Sequence, residues 1–157
     1  CNGVNLLWYG HHVNRDSLQR ILPELEGYPL RVVSNFDGAI SWSKETMLEE
    51  FARADIVVIP TTASYKSANR AIEAIRQGCY VVAEPHPALE GFPIYIGNIK
   101  EGIEWALQNQ HEANRRIGKA QRYLKAKYTP RICRAMWKTI TKLPTTSDAA
   151  KRTGTDG

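Results

Sequence analysis

The chain has 157 residues, 43% of them hydrophobic and 24% charged, with a formal net charge of +5. That length fits one domain able to bury about two-thirds of its unfolded surface, and the composition excludes disordered and fibrous chains. Three scattered cysteines, Cys1, Cys79 and Cys133, exclude a disulfide scaffold, and the longest aliphatic run, Ile56 to Ile59, falls far short of the roughly 20 residues of a membrane-spanning helix.

Val4 to Tyr9 reads as a strand closed by Gly10. Asn14 to Glu26 reads as a helix with Leu18, Ile21, Leu22 and Leu25 on one face, kinked or cut at Pro23. Leu30 to Val33 is a short strand, and Ser43 caps a helix carrying Met47, Leu48 and Phe51. Asp55 to Pro60 is a continuous β-branched run, the pattern of a strand buried on both faces. Ser64 is the expected cap of a helix from Lys66 to Gln77, stopped by Gly78. Cys79 to Ala83 is a second buried strand, and Ile94 to Ile96 a short last one. Helices follow over 98–109, 111–128 and 131–143, and the polar stretch from Thr145 to Gly157 is expected to be a disordered tail.

Strands alternating with helices at this spacing predict βαβ units and an α/β fold, a Rossmann-like three-layer parallel sheet with helices on both faces. One domain over 1–143 and a tail over 144–157 are expected. In such sheets ligands bind beyond the carboxyl ends of the strands. Gly10 to Arg15, Ser34-Asn35, Thr61 to Lys66 and Glu84 to Pro87 should therefore line one edge.

Charge is unevenly placed. Residues 1–114 hold nine Lys/Arg and 14 Asp/Glu, whereas residues 115–143 hold ten Lys/Arg and no acid. The basic arm is a solvated helix face or a surface for anionic lipid or phosphorylated ligands. Nucleic acid is not the expected partner, because no aromatic platform interleaves with these charges. No charged-then-apolar leader opens the chain, so the expected location is cytoplasmic, with membrane association through the basic helices as an option. Opening on Cys1 rather than Met, the chain is expected to be part of a longer protein.

The segment from Thr61 to Glu73 is the richest in chemistry. A helix N-terminus offers free N–H groups and partial positive charge, which suit phosphate. Lys66 in that first turn opposes the helix dipole, so it either points into water or serves an anion, beside Ser67 and Asn69. Glu73 could accept hydrogen bonds from the paired hydroxyls of a sugar, or pair with Arg70, Arg76 or Lys66. His11 and His12 diverge as neighbours and are poor joint metal ligands; one of them bonds a ligand or a carbonyl, or neither has a role. Cys79 reads as core. No P-loop, G-x-G-x-x-G, H-E-x-x-H, C-x-x-C or G-x-S-x-G motif is present.

The strand Asp55-Ile56-Val57-Val58-Ile59-Pro60-Thr61, the helix from Lys66 through Glu73-Ala74 to Gly78, and the Val81-Val82 strand together resemble the C-terminal half of GT-B glycosyltransferases, nearest the large retaining, family-4-like group. The similarity spans roughly Val4 to Leu143, in layout more than in letters outside the core motif. The resemblance implies a domain that binds a nucleotide-diphosphate sugar, with a separate N-terminal domain for the acceptor and the active site in the cleft between them. It implies neither metal nor cofactor, the nucleotide sugar being substrate. Glu73 matches the second glutamate of the family's paired-Glu motif, which holds the ribose. Tyr65 stands where the first, sugar-contacting glutamate is expected. Ser67 and Ala68 match positions whose backbone N–H groups meet the diphosphate, and Gly10 matches the glycine after the first strand. Lys66 and Arg15 are the basic residues expected to stabilise the leaving diphosphate. Gly10, His11, Ser64, Tyr65, Ser67, Ala68, Asn69 and Glu73 make up the expected donor site.

Tyr65 also favours a competing reading, a non-catalytic GT-B-like module that has lost sugar transfer. Another enzyme on the same scaffold, such as a nucleotide-sugar epimerase, is a third. A receiver-like domain is disfavoured, since no acidic cluster follows the first strand.

Overall fold

The computed structural model describes residues 3–61 and 68–127. By internal contacts Cys1–Tyr123 forms one unit and Leu124–Gly157 another, of which only Leu124 to Lys127 is described. The helix expected over 131–143 and the tail lie outside the described residues.

Among the described residues six strands form one sheet: β1 (Leu6–Tyr9), β2 (Leu30–Ser34), β3 (Ile40–Ser41), β4 (Ile56–Ile59), β5 (Tyr80–Ala83) and β6 (Tyr95–Ile96). Their order is β3-β2-β1-β4-β5-β6, and every pair is parallel. Five α-helices among the described residues connect or follow them: α1 (Arg15–Ile21), α2 (Lys44–Arg53), α3 (Asn69–Arg76), α4 (Ile99–Gln108) and α5 (Gln110–Lys127). This is the Rossmann-like three-layer arrangement that the strand and helix spacing predicts.

The central strands β1, β4 and β5 are buried at every position, so each can be apolar throughout. Side chains alternate between the two faces of a strand. Leu6, Trp8, Ile56, Val58, Tyr80 and Val82 share one core with Leu18 and Ile21 of α1, Ile99 and Ile103 of α4, and Ala113 of α5. By the same alternation Leu7, Tyr9, Val57 and Ile59 face α2 and α3, where the Tyr9 and Phe51 rings meet edge to face at 5.2 Å. Arg31 of β2 ties down α2 by gripping the Glu50 carboxylate, which is only 3% exposed, with its Nε and its Nη2.

The caps explain the helix limits. Ser43 accepts the Thr46 N–H at 3.0 Å and Asn98 accepts the Glu101 N–H at 3.0 Å. Past α3, Gly78 turns left-handed at φ 81°. Its N–H bonds Ile75 O, and the Cys79 N–H bonds Ala74 O, so the last carbonyls of α3 are satisfied just before β5 begins.

One boundary falls as expected, at Pro23, and two differ. Pro23 lies in a short 3-10 segment, Leu22–Leu25, and α1 stops at Ile21, because a proline nitrogen cannot donate the next helical bond. α3 starts at Asn69, with Ala68 as its N-cap and no side-chain cap bond; Ser64, the expected cap, lies outside the described residues. β3 is not signalled by periodicity, since two residues, Ile40 and Ser41, cannot display one.

Candidate functional site

In the order β3-β2-β1-β4-β5-β6 the chain runs outward one way from β1 and the other way from β4. Connections therefore leave the β1/β4 boundary in opposite directions, and the carboxyl ends of two such strands are where sheets of this type form their ligand-binding crevice. Gly10 follows β1 there, and Pro60-Thr61 follows β4.

Gly10 is held from both sides. Its N–H donates to Val33 O at 3.2 Å, and Ser34 Oγ donates to its carbonyl at 2.6 Å. A Cβ on Gly10 would stand 3.3 Å from Arg70 Nη1 and 3.2 Å from the Trp8 ring. Arg70, the second residue of α3, donates from Nη1 to Tyr9 O at 3.3 Å. Burial pulls its guanidinium below the ordinary arginine value, with Tyr9 acting weakly the other way. A cation brought to the strand ends at a desolvation cost, with the Tyr9 carbonyl as its hydrogen-bond partner among the described residues, is a group that an anion would satisfy.

Tyr9 links this point to Glu73. Its hydroxyl donates to Arg70 O and lies against the Glu73 carboxylate. Burial above all, then that carboxylate, pushes the Tyr9 hydroxyl far above the usual phenol range. Glu73 is exposed, and no cation among the described residues lies within ion-pair distance of it. It borders a groove of about 450 Å³ between α2 and α3 with Trp42, Met47, Leu48, Phe51 and Arg76. Trp42 is 63% exposed and Leu48 51%, so that groove offers an open aromatic ring and a carboxylate together.

The remaining expected site residues fall as follows. Ala68 and Asn69 open α3 beside Arg70. His11 caps the turn after Gly10, its Nδ1 accepting the Val13 N–H at 3.4 Å, and its ring lies 4.0 Å from that of His12. His12 is fastened to Asn35 through its N–H at 2.8 Å. Arg15 lies with its guanidinium carbon 4.8 Å from the centre of the Phe36 ring, on the β2 side of the crevice. Ser64, Tyr65, Lys66 and Ser67 lie outside the described residues.

Two features escaped the sequence reading. Arg70 is the cation beside Gly10, whereas it was read only as a partner for Glu73. Glu84, to which no role was given, braces the rim: Arg20 grips both of its carboxylate oxygens at 2.7 Å and reaches Thr61 O at 3.3 Å. α1 is thereby tied to the ends of β4 and β5.

No protein-family model matches the chain, and no curated protein matches it significantly.

The same cluster sets a pH dependence. Burial pushes the Cys79 thiol from 9.0 to about 11, and Tyr9 shifts in the same direction. Both groups are held neutral in the fold but ionise more readily when unfolded. The stability that this contributes is whole below pH 9 and is lost as pH rises from 9 towards 11. Urea midpoints should therefore be level near neutrality and fall steeply above about pH 9. A midpoint that held up to about pH 10.5 would contradict the burial of both groups.

Proposed function

We propose that this chain is the donor-binding domain of a GT-B glycosyltransferase, which transfers a sugar from a nucleotide-diphosphate sugar to an acceptor held by a separate N-terminal domain. The observation that supports it best is the meeting of Gly10 and Arg70 at the point where strand order reverses. A glycine without a side chain beside a desolvated guanidinium suits a diphosphate, and α3 begins at the same place with no cap bond from the side chain of its N-cap, Ala68. Along the groove from there, Glu73 would take the ribose hydroxyls and Trp42 would face the base.

Cleavage of a sugar–phosphate bond leaves negative charge on the departing diphosphate. Preorganised donors at that position lower the barrier by several kcal/mol. Arg70 is placed for this role, with Lys66 as the second cation expected from the sequence. Arg15, held over Phe36, would contribute only after leaving that ring. No metal is required, since the charge is met by side chains and a helix end.

Titration calorimetry with uridine, guanosine and adenosine diphosphates and their sugars tests the proposal. Saturable binding of one base series at one site is expected, with no turnover by this domain alone. Absence of heat with all three series would favour the non-catalytic module, for which Tyr65 in place of the family glutamate is the supporting feature.

A further inference from the structure

A second concave surface lies away from the crevice. A groove of about 660 Å³ runs between α5 and the segment before β6, lined by Pro93, Ile94, Arg115, Arg116, Lys119 and Arg122. Arg115, Lys119 and Arg122 follow one another at i, i+4 and i+7, so they share one face of α5. Glu112 partly neutralises the start of this stripe, lying 3.6 Å from Arg115 and 3.9 Å from Arg116. Further along, no carboxylate among the described residues lies within ion-pair distance of Lys119 or Arg122. The sequence offers no neutralisation either, because residues 115–143 contain no Asp or Glu. Like charges at i, i+4 weaken a helix, and an anionic surface would relieve that repulsion.

The chemistry of the surface narrows the partner. The nearby aromatic rings are occupied: the Arg116 guanidinium covers Trp105 at 4.2 Å, and Tyr123 packs on Phe92 at 5.2 Å. Bases of a nucleic acid would find no stacking platform. Pro93 and Ile94 lie half-buried beside the cations. A run of exposed cations without carboxylate partners among the described residues matches the phosphate headgroups of an anionic lipid surface.

We propose that the Arg115-Lys119-Arg122 face of α5 docks the protein on an anionic phospholipid surface. This does not depend on nucleotide binding at the crevice. Co-sedimentation of the full chain with phosphatidylcholine vesicles, with and without phosphatidylglycerol, tests it. Binding should require phosphatidylglycerol and weaken with salt. Lys119→Ala/Arg122→Ala should lower the partition coefficient roughly 30-fold. Both positions are exposed, so the circular dichroism of the double variant should match the parent. Arg53→Ala, on α2, should bind as the parent does. Equal binding to neutral vesicles, full affinity in the double variant, or tighter binding of a single-stranded oligonucleotide than of the anionic vesicles would each overturn the proposal.

Discussion

Arg70→Ala should lower affinity for the preferred nucleoside diphosphate about tenfold to hundredfold, while leaving the melting temperature close to that of the parent. A hydrogen bond to a charged group contributes about 1.5–3 kcal/mol, which corresponds to that range. The split between binding and stability is the informative part. The guanidinium is drawn into a poorly solvated place, and its observed partner is a backbone carbonyl rather than a carboxylate. Removing a cation from such a place relieves desolvation and so offsets the lost bond. The bond from Tyr9 to the Arg70 carbonyl uses backbone and survives the substitution. Arg70→Lys should fall between parent and alanine variant, since lysine keeps the charge but loses the fork. Calorimetry and thermal denaturation on the same preparations check both halves. A large drop in melting temperature with unchanged affinity would reassign Arg70 to the scaffold.

Gly102→Ala should destabilise the fold although it replaces a glycine inside a helix. A Cβ there would stand 2.5 Å from Val82 Cγ1 and 2.6 Å from Tyr95 Cδ1. Tyr95 is half-buried and could swing. Val82 is fully buried between α4 and its neighbouring strands, so α4 must lift from β5 instead. Overpacking of this kind costs about 1–3 kcal/mol, against a helix-propensity gain of about 1 kcal/mol for alanine over glycine. A net loss of about 1 kcal/mol, with about 2 as the upper end, is expected, read as a lower urea midpoint with unchanged slope. Gly118→Ala is the internal comparison. Nothing approaches its Cβ closer than 3.5 Å, so the propensity gain should stand alone and the variant should be slightly stabilised.

The fold was largely legible in the sequence because each deciding signal was local. The runs at 56–59 and 80–83 are buried along their whole length, which is why they lack alternation. Ser43, Asn98 and Gly78 each satisfy backbone groups at a helix end. β3 was not legible, since its two residues pair only through the neighbouring β2. The start of α3 was misplaced by three residues, because Lys66 and Ser67 are as compatible with a first turn as Asn69 is.

The candidate site was legible in outline but not in its chemistry. Which segments leave the carboxyl edge follows from strand order alone. Which cation meets Gly10 does not, because Arg70 lies sixty residues further along the chain and reaches Gly10 through the packing of α3 against β1. The expectation for Arg15 came from the resemblance, which implies a basic residue near the leaving diphosphate. An aromatic neighbour, Phe36, takes its guanidinium instead. The pairing of Glu73 with the Tyr9 hydroxyl rather than with a nearby arginine likewise depends on which face α3 turns inward.

Amide hydrogen exchange on the full chain, with and without a saturating nucleoside diphosphate, tests the central claim most directly. The account predicts added protection at Gly10 and from Ala68 to Glu73, with a smaller effect at Trp42 and none along α5. Protection confined to α5, or no change at Gly10 and α3 with any of the three diphosphates, would contradict it.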